Sequence, residues 1–126
     1  MISMELLKMD SLMFERGSIY LAKLYPSKGA EPGKTRQVLV LQDNALNEIG
    51  HEIVIVLPLT TNLIDDAFPL RMRISKRDLL EQESDILCNQ IRAIDTKRII
   101  PDKLTSINNN ELLEIEQMVQ LILGMS

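Results

Sequence analysis

The segment Ile53-Val54-Ile55-Val56-Leu57 limits the fold more than any other, being β-branched at four of its five positions. Such side chains lose rotamer freedom in a helix and fit a pleated strand. Val38-Leu39-Val40-Leu41 is a second continuous apolar run, suited to a strand buried on both faces. Pro58 follows the first run and is expected to end that strand or bulge it, because proline donates nothing to a ladder. Around these two lie weaker strand signals. Ser18–Leu24 is apolar and aromatic after Gly17, and Leu70-Arg71-Met72-Arg73-Ile74 alternates strictly, as a half-exposed strand does. Asp85–Ile91 reads as a strand, with a short one near Arg98–Ile100.

Helical signals are few. Ser75-Lys76-Arg77-Asp78 resembles an N-cap box for one or two turns reaching Leu80. Leu112, Ile115, Met118, Val119 and Ile122 recur at spacings of three and four. They predict a helix over about 109–123, capped through Asn108 and Glu111 and ended by Gly124. Residues 25–36, with two prolines and two glycines, form a long loop, and Gln42–Gly50 forms a second. Residues 1–15 read as an amphipathic helix or a loose arm, and Met4, Met9 and Met13 could each start translation. Strands and helices do not alternate, so a parallel α/β fold is excluded. The expected class is mainly β (α+β): a small, strongly bent antiparallel sheet or barrel, a short internal helix and a C-terminal helix. A chain of 126 residues has room for one such domain.

Composition closes several routes to catalysis. Cys88 is the only cysteine and His51 the only histidine, so neither an internal disulfide nor a Cys/His zinc centre can be built. No carboxylate cluster argues for an oxygen-ligated cation, so neither metal nor cofactor is expected. A Ser-His-Asp or Cys-His arrangement would need His51, which otherwise reads as a polar loop residue. No apolar run is long enough for a membrane span, and the N-terminus has acids at Glu5, Asp10 and Glu15 where a signal peptide would be apolar. A cytoplasmic protein is expected.

Net charge is −4, yet its distribution is uneven. Between Arg16 and Arg36 five bases face one acid, Glu31, a local +4. Residues 101–126 carry Lys103 against Asp102, Glu111, Glu114 and Glu116, a local −3. A basic patch acts within a Debye length of about 8–10 Å, so it serves either a phosphate chain or solubility. Arg92, Lys97 and Arg98 form a second basic group, in which Arg92 either pairs with Asp95 or meets a ligand.

Three separated blocks carry a family likeness. The first is Arg16-Gly17-Ser18-Ile19-Tyr20 with Pro26, Gly29, Glu31-Pro32-Gly33-Lys34-Thr35-Arg36 and Val38-Leu39-Val40-Leu41-Gln42. Thr60 follows the Ile53–Leu59 strand, and the third block is Gln90-Ile91-Arg92-Ala93-Ile94-Asp95-Thr96-Lys97-Arg98. Together they resemble the MazF/PemK toxins of type II toxin–antitoxin systems, in register from Arg16 to about Gly124. The resemblance implies one toxin domain over 16–126, an SH3-like, partly open barrel, and a homodimer. It implies a metal-independent endoribonuclease that cuts single-stranded RNA at short sequences by 2′-hydroxyl attack. It also implies an antitoxin whose C-terminal segment occludes the RNA groove, and DNA binding together with that antitoxin. Carried over residue by residue, Arg36 and Thr60 are the catalytic pair. Lys23, Tyr25, Lys28, Lys34, Gln90, Arg92 and Arg98 line the RNA path, with Tyr25 the best base-stacking candidate.

This sequence departs from the family pattern at three points. Gln37 replaces a proline after Arg36, Ala30 stands where some members have a loop histidine, and Asn89 replaces the acid that precedes Gln90. That acid serves as general base in some relatives, and asparagine takes no proton at neutral pH. Two other readings follow: a non-catalytic toxin like the gyrase-poisoning CcdB proteins, or an RNA-binding module with a degenerate site.

Overall fold

A computed structural model describes residues 14–24 and 34–125. The helix or arm expected over 1–15 therefore lies almost wholly outside the described residues, as does most of the first loop. The described elements are β1 (Ser18–Lys23), β2 (Thr35–Val40), α1 (Asn44–Glu48), β3 (Ile53–Thr60), β4 (Arg71–Ile74), β5 (Ser84–Leu87), β6 (Arg92–Asp95), β7 (Ile99–Ser106) and α2 (Asn109–Leu123). Seven antiparallel strands run in the order β4-β5-β3-β2-β1-β7, with β6 also on β3. The sheet bends without closing, a partly open barrel with a C-terminal helix.

The two apolar runs lie side by side at its centre, Val38 opposite Pro58, Leu39 opposite Leu57 and Val40 opposite Val56. Side chains alternate between faces along each strand, which creates two cores. Leu39, Leu57, Leu59 and Ile86 face Ile115 and Met118 of α2. Val38, Val40, Val54 and Val56 face Tyr20, Ala22, Ile94 and Ile99 inside the barrel.

Pro58 does not end β3. The far edge of β3 pairs with β6 up to Val56 and with β5 from Leu59, leaving Leu57 and Pro58 between partners. Ile55 O turns toward Leu41 on the β2 side; by alternation the Pro58 nitrogen turns to the opposite edge, where no bond is required. The internal helix also differs from expectation. Ser75–Leu80 is not helical: Arg77 and Leu80 exchange backbone bonds of 3.1 and 2.8 Å across a tight turn, with Asp78 at φ 49°. A helix cannot include that left-handed residue. Asp78 instead accepts the Thr105 hydroxyl at 2.6 Å. The short helix is α1, inside the expected Gln42–Gly50 loop, where Asp43 caps the Ala45 amide. The Asp85–Ile91 strand stops at Leu87, because Gln90 N turns back to Leu87 O. The strand expected near Arg98–Ile100 runs on to Ser106.

α2 follows the sequence pattern. Asn108 and Glu111 form a reciprocal capping box, and Gly124 closes the helix at φ 69°. Arg77 grips Glu111 through both terminal nitrogens, at 2.6 and 2.9 Å. At the other end of the sheet Gly17, at φ 84°, turns the chain into β1, and Arg16 pairs with Glu116.

The Arg77 guanidinium holds the Glu111 carboxyl below its ordinary range against the opposing effect of burial. Its stabilisation is therefore complete above the unfolded carboxyl's value of about 4.3 and is lost as pH falls through the lower folded value. Glu111→Gln should be less stable than the parent at pH 7, and urea midpoints should converge as pH falls below about 4.

Candidate active site

The β2–β3 ladder stops at Val38 and Pro58. The next β3 carbonyl on that edge, Leu59 O, accepts Arg36 Nε at 3.1 Å in place of a strand amide. The strands separate there around a cleft of about 340 Å³, lined by Leu21, Thr35, Arg36, Gln37, Leu59, Thr60 and Thr61. Carrying the register two residues further sets Arg36 opposite Thr60, on the face of Val38 and Val56. Using Nε on Leu59 O turns one edge of the guanidinium to the backbone and leaves its planar fork to face a ligand. No described carboxylate pairs with Arg36. The Thr60 hydroxyl accepts the Asn62 amide at 3.1 Å, which fixes its oxygen at the end of β3.

The other candidates are only partly drawn together. Lys23, opposite Thr35 at the end of β1, and Lys34, just before β2, are both exposed beside the cleft. Arg98 reaches the same corner, donating to Lys23 O at 3.2 Å and Leu24 O at 3.1 Å, so it braces the root of the long loop. Arg92 lies opposite Val56 and shares the face of Arg36 and Thr60. It does not pair with Asp95, whose carboxylate caps the Lys97 amide at 2.8 Å. Asn89 and Gln90 are exposed in the β5–β6 turn, and no described hydrogen bond links them to Arg36 or Thr60. Tyr25 and Lys28 lie outside the described residues. Tyr20 is buried, its hydroxyl accepting the Glu15 amide at 2.8 Å, so it offers no stacking face. Phe68 is 70% exposed, the only Phe or Tyr among the described residues that lies in solvent.

His51 is exposed and lines other clefts, away from Arg36 and Thr60. No group of three or more His, Cys, Asp or Glu among the described residues could hold a metal ion. Sequence reasoning missed a buried charge cluster beside Thr60. Asp85 lies opposite both Thr60 and Arg73, and it accepts from Arg71 and Arg73. The strict alternation of Arg71 and Arg73 was the available signal, but it could not name their acid.

Solved structures share this fold. The MazE–MazF complex of Deinococcus radiodurans superposes with a TM-score of 0.73 at 20% identity, covering 90% of this chain and 99% of that one. The toxin MazF-mt6 of Mycobacterium tuberculosis gives 0.71 at 16% identity, over 86% and 98%. The likeness to these structures lies in the fold, a bent open sheet with a C-terminal helix. The family model described as PemK-like, MazF-like toxin of type II toxin–antitoxin system matches residues 15–123. The endoribonuclease MazF of Staphylococcus epidermidis is 33% identical over 115 residues, 90% of this chain and 94% of that protein. The chain belongs to the PemK/MazF toxin family. No described helix is long and apolar enough to cross a membrane.

Cys88 is fully buried between the Ile86 carbonyl and the Met118 sulfur, and burial pushes its thiol up to about 11. It supplies no nucleophile at neutral pH. Alkylation by iodoacetamide at pH 8 should be slow in the folded protein and fast in urea; rapid labelling of the folded chain would contradict this burial.

Proposed function

We propose that this toxin, an endoribonuclease, cleaves single-stranded RNA without a metal, by attack of a ribose 2′-hydroxyl on the adjacent phosphate. The observation that carries the reading is the Arg36–Thr60 cleft, where a guanidinium braced on Leu59 O faces a hydroxyl at the end of the next strand. The attack forms a bond from the 2′-oxygen to phosphorus, breaks the bond to the 5′-oxygen, and leaves a cyclic phosphate and a 5′-hydroxyl. Arg36 and the Thr60 hydroxyl stabilise the charge that builds on the non-bridging oxygens. Arginine is a poor proton acceptor, with a pKa of about 12.5 or more, so Arg36 acts by charge. The RNA path runs over Lys23, Lys34, Gln90, Arg92 and Arg98 and onto Tyr25 and Lys28. The C-terminal segment of an antitoxin occludes it, and the pair binds DNA together. Residues 16–126 form the toxin domain, and the protein works in the cytoplasm.

Arg36→Ala should leave the thermal midpoint close to the parent's and lower cleavage at least a hundredfold, about 2.7–4 kcal/mol of lost transition-state stabilisation. Arg36→Lys should lose most of the activity too, since a point charge cannot replace the fork. Mapping the ends of a long RNA incubated in EDTA reads both variants. Cleavage by the alanine variant at the parent rate would refute the assignment.

The toxin acts as a homodimer in this reading. Support comes from an open apolar groove of about 620 Å³ in which Leu46, Ile49, Ile53, Ile55 and Ala93 lie exposed. Ile53, on the same face of β3 as Leu57 and Leu59, is 49% exposed, and Ile49, at the end of α1, is 64% exposed. Light scattering should give twice the chain mass at micromolar concentration, and Ile53→Asp should shift it to the monomer. A parent that scatters as a monomer would remove the dimer.

A further inference from the structure

We infer that Asp85 is a positioning residue for the Arg36–Thr60 site, acting through the segment that follows Thr60. The inference rests on the proposed reading of that site.

The strand register places Asp85 beside Thr60. Thr60 pairs with Asp85 and Asp85 with Arg73, and directly opposed residues of an antiparallel ladder share one face. With Arg36 opposite Thr60, a polar row crosses four strands: Arg36 on β2, Thr60 on β3, Asp85 on β5 and Arg73 on β4. Asp85 is the buried member, 1% exposed.

Its carboxylate is fully engaged. Oδ1 accepts Arg73 Nε at 2.9 Å, while Oδ2 accepts Arg71 Nη1 at 3.1 Å and the Ile64 amide at 3.0 Å. The same arginines reach on into the segment after Thr60. Arg71 Nη1 also donates to Asn62 O at 3.0 Å, and Arg73 Nη1 to the Asp65 carboxylate. Asn62 N in turn donates to the Thr60 hydroxyl. Asn62, Ile64 and Asp65 are thus tied, directly or through one arginine, to a single carboxylate, and the side chains of Asn62 and Ile64 are themselves exposed. With those side chains in solvent, the polar ties hold the segment after Thr60, and the Asn62 amide joins that segment to the Thr60 hydroxyl.

The arginines have a second consequence. A bare carboxylate one strand from Thr60 would repel a phosphate placed there. Arg71 and Arg73 offset the charges of Asp85 and Asp65, two bases against two acids, so the row presents Arg36 to an anion without an opposing field. Arg73 commits Nε, Nη1 and Nη2 to Asp85 and Asp65, and Arg71 commits Nη1 to Asp85 and Asn62 O.

The test compares the parent with Asp85→Asn, which keeps an acceptor for Ile64 but not the paired arginines, and with Arg71→Gln, which removes the Asn62 tie while Arg73 still pairs Asp85. Amide hydrogen exchange and steady-state cleavage of a short single-stranded RNA are read on each, with rates normalised to folded protein. Both variants should lose protection at Asn62 or Ile64 and should lower kcat about tenfold or more with KM changed by less than about threefold, since small misplacements of a reacting group act on the chemical step. A purely structural role would lower the thermal midpoint and leave kcat per folded molecule unchanged, which would overturn the proposal. So would unchanged exchange at both amides. A parent that cuts no RNA would sink the proposed function itself, a result separable from parent-like kcat in the variants.

Discussion

Strand β3 is buried on both faces from Val56 to Leu59, and no other strand could be changed with so many consequences. Its odd-numbered residues Leu57 and Leu59 meet α2, while Val54 and Val56 meet the barrel interior. Burying one such side chain contributes roughly 1.5–3 kcal/mol, so this short run anchors both cores. It also touches three strands. One edge is held by β2, the other is divided between β6 and β5, and the change of partner falls at Leu57 and Pro58. The cleft exists because β2 and β3 part after Val38 and Pro58, β2 continuing on β1 and β3 on β5. With the ladder ended at Pro58, Leu59 O has no strand donor, and Arg36 supplies one from its side chain.

The arginines divide into two groups that do different physical work. Arg16, Arg71, Arg73 and Arg77 each find a carboxylate on Glu116, Asp85, Asp65 or Glu111. These pairs fasten α2 to the sheet and close the β4–β5 end. Arg36, Arg92 and Arg98 have no acid partner among the described residues, and Arg36 and Arg98 are oriented by backbone carbonyls instead. A carbonyl fixes a guanidinium without cancelling its charge. An acidic chain of net charge −4 can in this way keep a locally positive edge, because no described acid pairs with the arginines of that edge.

The strands were legible in the sequence where one physical signal dominated. The run Val38–Leu41 announces a strand buried on both faces, the β-branched run Ile53–Leu57 announces a strand, and the periodicity after Asn108 announces α2 with its cap. Ser75–Leu80 misled because a serine followed by charged residues resembles a helix start, whereas Asp78 is held in a left-handed turn by Thr105, 27 residues away in sequence. Pro58 misled because only tertiary structure shows which edge of a strand lacks a partner. α1 escaped notice, being one turn stabilised by Asp43 and by Asn47 bonding back to Gln42 O. For the candidate site, the blocks around Arg36, Thr60 and Arg92 supplied the candidates, but spacing alone could not relate them. Their common face emerges only from the strand pairing, and the Asp85 cluster joins residues from three strands that no local pattern connects.

The absence of an acid at position 89 bears on how such a site reaches a useful rate. On the proposed reading a 2′-hydroxyl must lose a proton, and the residues around the cleft are Arg36, Gln37, Thr35, Thr60 and Thr61, none of which is a base near neutral pH. Asp85 is the nearest carboxylate by register, and against the opposing effect of burial Arg73 and Arg71 hold its pKa below the ordinary carboxylate range, so it keeps no appetite for a proton. General base catalysis is worth about 10²–10⁴-fold where it operates. A site without it retains orientation and charge stabilisation, which are separate contributions. The chain has invested in those two: Nε of Arg36 is fixed on Leu59, the Thr60 hydroxyl on Asn62, and the segment beyond on Asp85. Slow cleavage is compatible with a toxin, because one cut inactivates a transcript and the rate that matters is set against transcript lifetime.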